Sequence, residues 1–471
     1  MGGAVFTRSG LAALVFAGLS AAPASSSMLE QSPRRASNES ASGTIDLTVR
    51  DEEGRPLIAR AQLSPVNWTE RVRLGQWHDT NVLSDLDGVR ITLRPGRYRM
   101  HVSCGPEWSL VTRTLEVMEG DRLVQRIGLR HQVSLPGWVG ADLHVHTQHS
   151  DDAKERGGVS VLDLRAEGIS MAAVTDHNHI GGLGAGIDSL SGAELTTWDP
   201  EVGHFNAFPL RRLPPWEATT PAKLFAALAT DPEVFVQINH PRLEDHIAYF
   251  ALGGFDGKHF ADPNFHLDVD GLEVWNGYDV GHPREVDRLL TEWRSWVAAG
   301  HRLTATGGSD SHGAGGHLPG YPRTYARTSS VNGLGPALKQ GHAFVTNGPL
   351  LDLKVEASGQ RYSVHPGDDL ELIADSRPTL SVQLTILAPD WMEVEQAELW
   401  LGDELAWRAN IPKSDPGEPL RFDARVQLAV HDERTLQAVA RGGSGLEALL
   451  GRKDVQPLAF TNPVYIHYMV P

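Results

Sequence analysis

Between Gly43 and about Gln132, apolar and polar residues alternate in short runs: TIDLTV, a turn at Asp51-Glu52-Glu53-Gly54, PLIARAQL, RITL, a turn at Pro95-Gly96, then RYRMHV and TRTLEV before Glu119-Gly120. Successive strand side chains point to opposite faces, so period-two runs cut by glycine and proline turns predict a small antiparallel β-sandwich. From about Leu135 to Gly348 apolar, strand-like runs are followed by helical segments: ADLHVH, then VSVLDLRAEG, then MAAVTDH. Thr220-Pro221 supplies a capping residue and a first-turn proline, a helix start. Val286, Leu289, Leu290, Trp293 and Val297 form a helical stripe between Arg284 and Ala299, closed by Gly300. Trp293 and Trp296 are expected in the core rather than as an aromatic platform. Repeated strand-then-helix order predicts parallel strands with helices outside, as an α/β barrel or a doubly wound sheet. Beyond Leu350 the helical period disappears, and LDLKVEA, TLSVQLTIL, AELWLG, RFDARVQLAV and LQAVAR predict a second β-sandwich ending at TNPVYIHY.

The N-terminus has the pattern of an export signal. Arg8 precedes an apolar stretch, Leu11–Ala22, and then Ala22-Pro23-Ala24. Such a stretch is shorter than the roughly 20 residues a membrane span needs but suits a signal-peptide core; a frayed alanine-rich tail is the competing reading. The expected organisation is a signal peptide (1–24), a serine-rich linker (25–42), an N-terminal sandwich (43–134), an α/β unit (135–349) and a C-terminal sandwich (350–471). The expected product is exported, to the periplasm or beyond the cell, without membrane insertion.

At 471 residues the chain exceeds what one core accommodates. Its 42 basic and 59 acidic residues give a net charge of −17, which argues against a nucleic-acid partner or an anionic membrane held by bulk electrostatics. The single cysteine, Cys104, excludes an intramolecular disulfide and a thiolate zinc site. Histidine is the informative residue: of 21, 14 lie between His144 and His317.

Their positions follow the predicted strands. His144 and His146 are two apart in Asp-Leu-His-Val-His, so at about 3.3 Å per residue they share a face closely enough to bind one ion. AAVT runs into Asp176-His177-Asn178-His179, LSGA into Glu194, VFVQI into Asn239-His240-Pro241 and LTATGGS into Asp310-Ser311-His312, while His204 opens the strand NAFPL. In an α/β barrel the strand ends converge on one rim, where so many imidazoles and carboxylates require partners that metal ions would supply. Nitrogen and oxygen ligands suit Zn, Mn or Fe, and two or three such divalent ions would generate a hydrolytic hydroxide at neutral pH. No nicotinamide fingerprint, phosphate-binding loop or nucleophile elbow competes.

DLHVHTQHSDD, TDHN, GAE, GHFN, INHP and GSDSH, in this order, resemble the motif set of the PHP (polymerase and histidinol phosphatase) superfamily, and more narrowly its carbaryl-hydrolase-like CehA/McbA branch. EVWNGYD, PRTYAR and TNPVYI resemble that branch too, and the likeness spans roughly Gly137 to Gly348. It implies a distorted seven-stranded TIM-like β/α barrel with two or three metals. His144, His146, Glu194 and Asp310 would hold one ion; Glu194 would bridge to a second, also held by His204 and His240; His177, His312 and an acid from Ser150-Asp151-Asp152 would hold a third. Family patterns read Ser-Asp-Gly where this chain has Ser-Asp-Asp; Asp151 is taken as the ligand.

Glu194 and Asp310 are also expected to serve catalysis. His149 is read as a general acid or a surface residue, and Asp176 as a group that orients a ligand. Arg323 is read as a bidentate grip on an anionic group or as a salt bridge tying its loop down. Asn276, Tyr278 and His317 are candidate pocket residues. The expected activity is hydrolysis of a small-molecule ester, carbamate or amide. Phosphomono- or phosphodiester hydrolysis is the alternative, and a non-catalytic, metal-stabilised surface binding protein is the contrasting class.

Overall fold

The computed structural model describes residues 42–469 except 67–79, 198–200, 218, 244–246, 314–316, 358–361, 374–378, 414, 416, 433 and 453. The expected signal peptide and all but the last residue of the expected linker lie outside the described residues.

The alternation at the start of the chain does what its period requires. Ile45, Leu47 and Val49 of strand Gly43–Arg50 turn to one side and share a core with Ala61, Leu63, Met100 and Val102. Gly43–Arg50 pairs with Val89–Leu93 and Arg122–Gly128; Ala59–Pro65, Thr80–Ser84, Gly96–Ser103 and Val111–Val117 form a second sheet. Arg122–Gly128 runs parallel to its neighbour, against the antiparallel expectation. It buries only Ile127, so its sequence reads as polar.

In the middle of the chain, Val139–Val145 and Met171–Val174 are parallel and covered on both faces, which is why they are continuous apolar runs. They belong to an 11-stranded sheet that also holds Asp188–Ser191, Arg323–Ala326 and Ala343–Thr346. That sheet continues past residue 350 into Leu458–Thr461, Arg434–Arg441, Gln396–Leu401 and Glu404–Asn410.

A five-stranded sheet contains Ala193–Thr196, His204–Phe208, Phe235–Ile238, Gly271–Asn276 and Thr304–Gly308. Here the all-parallel expectation fails, because His204–Phe208 is antiparallel to both neighbours. The link through residues 197–203 is too short for the crossover a parallel return needs, roughly a dozen residues. As the pattern predicts, Thr220 caps helix Pro221–Leu228. Helix Pro283–Ala298 buries Val286, Leu289, Leu290, Trp293, Trp296 and Val297 against this sheet and against Phe460.

Toward the C-terminus, Leu380, Val382, Leu384 and Ile386 alternate inward along Thr379–Leu387, the central strand of a sheet with Leu350–Ala357 and Leu420–Ala429. Among the described residues the architecture is mixed α/β, richer in strand than in helix, with several sheets, none closed on itself. No described helix is long and apolar enough to cross a membrane.

Candidate metal centre

Where the Val139–Val145 and Met171–Val174 strands meet the five-stranded sheet, their ends bring six imidazoles and several carboxylates together. Strands that run one way deliver residues from their C-terminal ends: His144, His146, His177, His240, Asp310 and His312. The reversed strand delivers His204 from its first position, so it reaches the same place.

Glu194 is the centre of the group. It is fully buried, and its two oxygens face different imidazoles. Oε2 lies 3.5 Å from His144 Nε2, 3.4 Å from His146 Nε2 and 3.1 Å from His177 Nδ1. Oε1 lies 3.1 Å from His204 Nδ1 and 3.3 Å from His240 Nε2, and accepts a 2.9 Å hydrogen bond from Asn239. Asp310 Oδ1 completes the first side, 3.4 Å from His144 Nε2 and 3.2 Å from His146 Nε2.

These separations can be tested against an ion. Ligand atoms at about 2.1 Å from a tetrahedral centre are about 3.4 Å apart, and the four contacts of the His144–His146–Glu194–Asp310 set fall between 3.2 and 3.5 Å. The Nε2 atoms of His144 and His146 are buried without a hydrogen-bond partner. Buried polar atoms without partners are costly, and a cation at their common focus removes that cost. The donor set fits a metal. His146, His177, His312 and Asp152 form a second compact group, and His177, Glu194 and His204 a third.

The imidazoles are held from behind. His144 Nδ1 lies 2.9 Å from Glu273 Oε1, His146 Nδ1 3.1 Å from Ser150 Oγ, His177 Nδ1 2.7 Å from Thr196 Oγ1, and His312 Nδ1 2.9 Å from the Asp310 carbonyl. In the His144, His146 and His312 rings this turns Nε2 toward the cluster, the arrangement that fixes the tautomer of a metal-binding histidine, while His177 shares Nδ1 between Thr196 and Glu194 and turns Nε2 to Asp152. Glu273 also accepts from the backbone N–H of His240 and from Asn276 Nδ2, both at 2.9 Å. Gly308 is required here, since a Cβ would come 2.6 Å from His144 Cβ and 2.8 Å from Glu273 Oε1. Asn178, His240 and Asp310 are the non-glycine residues with positive φ among the described residues, at 50°, 25° and 51°. Such backbone strain concentrates at functional sites.

The electrostatics are those of a crowded ion cluster. Burial pushes Glu194 up, but the His177, His144 and His204 imidazoles outweigh it and hold the carboxyl well below its usual range. Asp310 is likewise held well below, with burial opposed first by His144. Burial lowers His177, yet Glu194 and Asp152 lift it to about 9. Burial dominates at His146 and brings it down to about 4.

Of the residues singled out from sequence, His144, His146, His177, Glu194, His204, His240, Asp310 and His312 come together. Asp151 does not join them: it is exposed and paired with Lys154. Its neighbour Asp152, itself half-exposed, turns toward the imidazoles, held by Ser150 Oγ at 2.9 Å, and places Oδ2 3.2 Å from His177 Nε2 and 2.8 Å from His312 Nε2. Arg323 grips nothing that arrives from solvent. It is fully buried and donates to the Gly320 and Glu167 backbone carbonyls, so it ties its loop down through neutral carbonyls where a salt bridge was expected. His149 is exposed and stacks on His179, with ring centroids 5.3 Å apart. Asp176 accepts from Thr147 N and Oγ1, so it shapes the loop after His146. Tyr278 and His317 pack ring to ring at 4.3 Å.

Sequence reasoning missed Glu273 and Asn239. The available signal was polarity in the wrong place: an acid inside the apolar run Gly-Leu-Glu-Val-Trp, and an amide directly after Val-Gln-Ile.

No family model matches the chain. A relative from Methanocaldococcus jannaschii, described as uncharacterized protein MJ1587, is 30% identical over 158 residues, covering 29% of this chain and 82% of the archaeal protein. The chain therefore belongs to one family with that archaeal protein.

Proposed function

We propose that this chain is an exported metal-dependent hydrolase of the PHP kind, near the carbaryl-hydrolase-like branch, acting on an ester, carbamate or amide bond of a small molecule. The observation that carries the reading is the division of Glu194: one oxygen faces His144 and His146, the other His204 and His240. A buried carboxylate shared in this way has the form of a bridge between two cations. The ring expected of that family is supported by parallel bridges at both sheet edges, Val145 with Ser311 and His177 with Glu194. These would join Val139–Val145, Met171–Val174 and the five-stranded sheet, seven strands that leave out Asp188–Ser191, in a circuit.

Divalent ions held there by His144, His146, Glu194 and Asp310, by Glu194, His204 and His240, and by Asp152, His177 and His312 would supply hydroxide at neutral pH and Lewis acidity toward the substrate oxygen. The chain's own part is orientation. Glu273, Ser150, Thr196 and the Asp310 carbonyl fix four imidazole rings before any ion arrives. His149, on the exposed loop beside Ser150, is the candidate proton donor to the leaving group. With Arg323 internal, it offers no grip to an anionic group arriving from solvent, which favours the carboxyl-type substrate over a highly anionic one.

The test is hydrolysis of p-nitrophenyl acetate, 1-naphthyl N-methylcarbamate, p-nitrophenyl phosphate and bis-p-nitrophenyl phosphate by the metal-loaded protein, with and without chelator. Chelator-sensitive cleavage of the first two supports the proposal. Cleavage of only the phosphate esters replaces it with a phosphoesterase, and bound metal without turnover of any probe favours the non-catalytic binding protein.

A further inference from the structure

The N-terminal sheets contribute none of the ligands described above, yet they reach the ligand strand through an unbroken set of buried contacts. Arg60, on strand Ala59–Pro65, is 3% exposed although it is charged. Its Nε pairs with the Glu167 carboxylate at the end of helix Val161–Ala166, and its Nη2 donates to the Leu449 carbonyl at 2.8 Å. One guanidinium thus joins the N-terminal sheets, the α/β region and the C-terminal region. Glu167 carries the connection onward, because its carbonyl accepts from Arg323 Nη2 at 2.9 Å. Arg323 Nε donates to the Gly320 carbonyl at 2.8 Å, and Gly320 N donates to Asp142 Oδ2 at 2.6 Å.

Asp142 is where the path meets the site. Its other oxygen accepts from Ser309 N at 3.0 Å and from His144 N at 3.3 Å. A single buried carboxylate therefore clamps the backbone of one candidate ligand, His144, to the loop that leads into another, Asp310. Asp310 N closes the arrangement on the His144 carbonyl at 2.8 Å. The junction is tight as well as polar: a Cβ at Gly105, whose φ is +84°, would sit 2.1 Å from the Glu167 carbonyl oxygen. Glu167 is thus held on two sides by the N-terminal sheets, by charge at Arg60 and by backbone contact at Gly105.

We infer that Arg60 is a positioning residue for the metal centre: docking of the N-terminal sheets through the Arg60–Glu167 pair holds the Asp142 clamp, and with it the His144–Asp310 spacing, in shape. This rests on the metal reading of the site. A charged pair fully removed from water is a poor source of net stability but a good device for fixing register between packed elements. The path is a chain of direct hydrogen bonds, and changes along such a path shift affinity at its far end by about 2- to 30-fold.

The experiment uses the full chain and Co²⁺ alone as probe, followed by its visible ligand-field absorption and by competition with a chelator. Arg60→Met removes the pair, Arg60→Lys keeps the charge but not the fork, and Arg90→Ala, an exposed partner of Asp46 on the same sheets, is the control. The expected result is weaker Co²⁺ binding by about 2- to 30-fold and a changed absorption envelope in Arg60→Met, partial recovery in Arg60→Lys, and no change in Arg90→Ala. Because Arg60→Met leaves Glu167 buried without its counter-charge, Arg60→Met/Glu167→Gln is measured beside it, and the same loss is expected there. Wild-type Co²⁺ affinity and spectrum in the folded double variant overturn the inference while leaving the metal centre intact. A wild-type chain that takes up no Co²⁺ overturns the metal reading and this inference with it.

Discussion

Glu273 gives the sharpest quantitative expectation, because it touches no ion position and yet fixes the imidazole of His144 and the backbone of His240, two of the residues that would. Its Oε1 faces His144 Nδ1 and its Oε2 accepts from His240 N and Asn276 Nδ2, each at 2.9 Å. In Glu273→Gln one oxygen becomes an NH₂ group. If that group faces His240 N and Asn276 it meets two donors; if it faces His144 it forces the proton onto Nε2, the atom meant for the metal. Either way at least one charged hydrogen bond is lost, about 1.5–3 kcal/mol of orientation. Partners of this kind change metal affinity by about 10- to 100-fold, or about 1.4–2.7 kcal/mol, which agrees. The assay is chelator competition for Zn²⁺ on the wild type and Glu273→Gln, with circular dichroism to confirm an unchanged fold. An unchanged Zn²⁺ affinity would refute the claim that His144 and His240 are ligands presented by Glu273.

Other expectations follow from the same geometry. Glu194→Gln should keep the fold but lose most of the activity and at least one equivalent of metal; full metal content in that variant, measured by elemental analysis, would contradict the bridging role. Asp152→Asn should lower metal stoichiometry or affinity while Asp151→Asn leaves both unchanged; the reverse order in the same titration would contradict the structure's choice between these neighbours. In the metal-free protein His177, lifted to about 9, contributes stability that is full below about pH 6.5 and lost as pH rises through 9. On the acid side His146, lowered to about 4, loses its contribution as pH falls from about 6.5 through 4, and the depressed Glu194 and Asp310 add to that loss. The metal-free Tm should therefore peak near about pH 6.5, and a Tm that climbs steadily from pH 6.5 to 9 would contradict the ion cluster. Trp293→Ala, which empties a fully buried site and frees the Leu303 carbonyl, should cost about 3–5 kcal/mol in denaturant melts.

How much the sequence revealed depended on the range of the interaction involved. Strand–loop junctions carrying histidine and acid were legible because composition and period change together there, as at His144-Val145-His146 and Asp310-Ser311-His312. The helix from Pro283 was legible from its stripe and its closing glycine. Strand direction was not, since the reversal at His204–Phe208 depends on a link too short for a crossover rather than on the strand's own residues. The choice between Asp151 and Asp152 was equally hidden: adjacent residues of one type differ only in which way the turn points them, and Ser150 decides that. Arg323 looked available because arginine near a ligand motif invites an anion, but its partners, Glu167 and Gly320, are backbone carbonyls that no local pattern announces.

The central claim is that the division of Glu194 between two sets of imidazoles marks a multinuclear metal site. The most direct measurement is the metal content of the purified chain after reconstitution with Zn²⁺, Mn²⁺ or Fe²⁺ and removal of loosely held ions, counted per folded polypeptide in the wild type and in Glu194→Gln. Two or three ions per chain, falling by at least one in the variant, is the predicted result. A wild-type chain that retains no ion, or one whose ion count is unaffected by Glu194→Gln, would contradict the account.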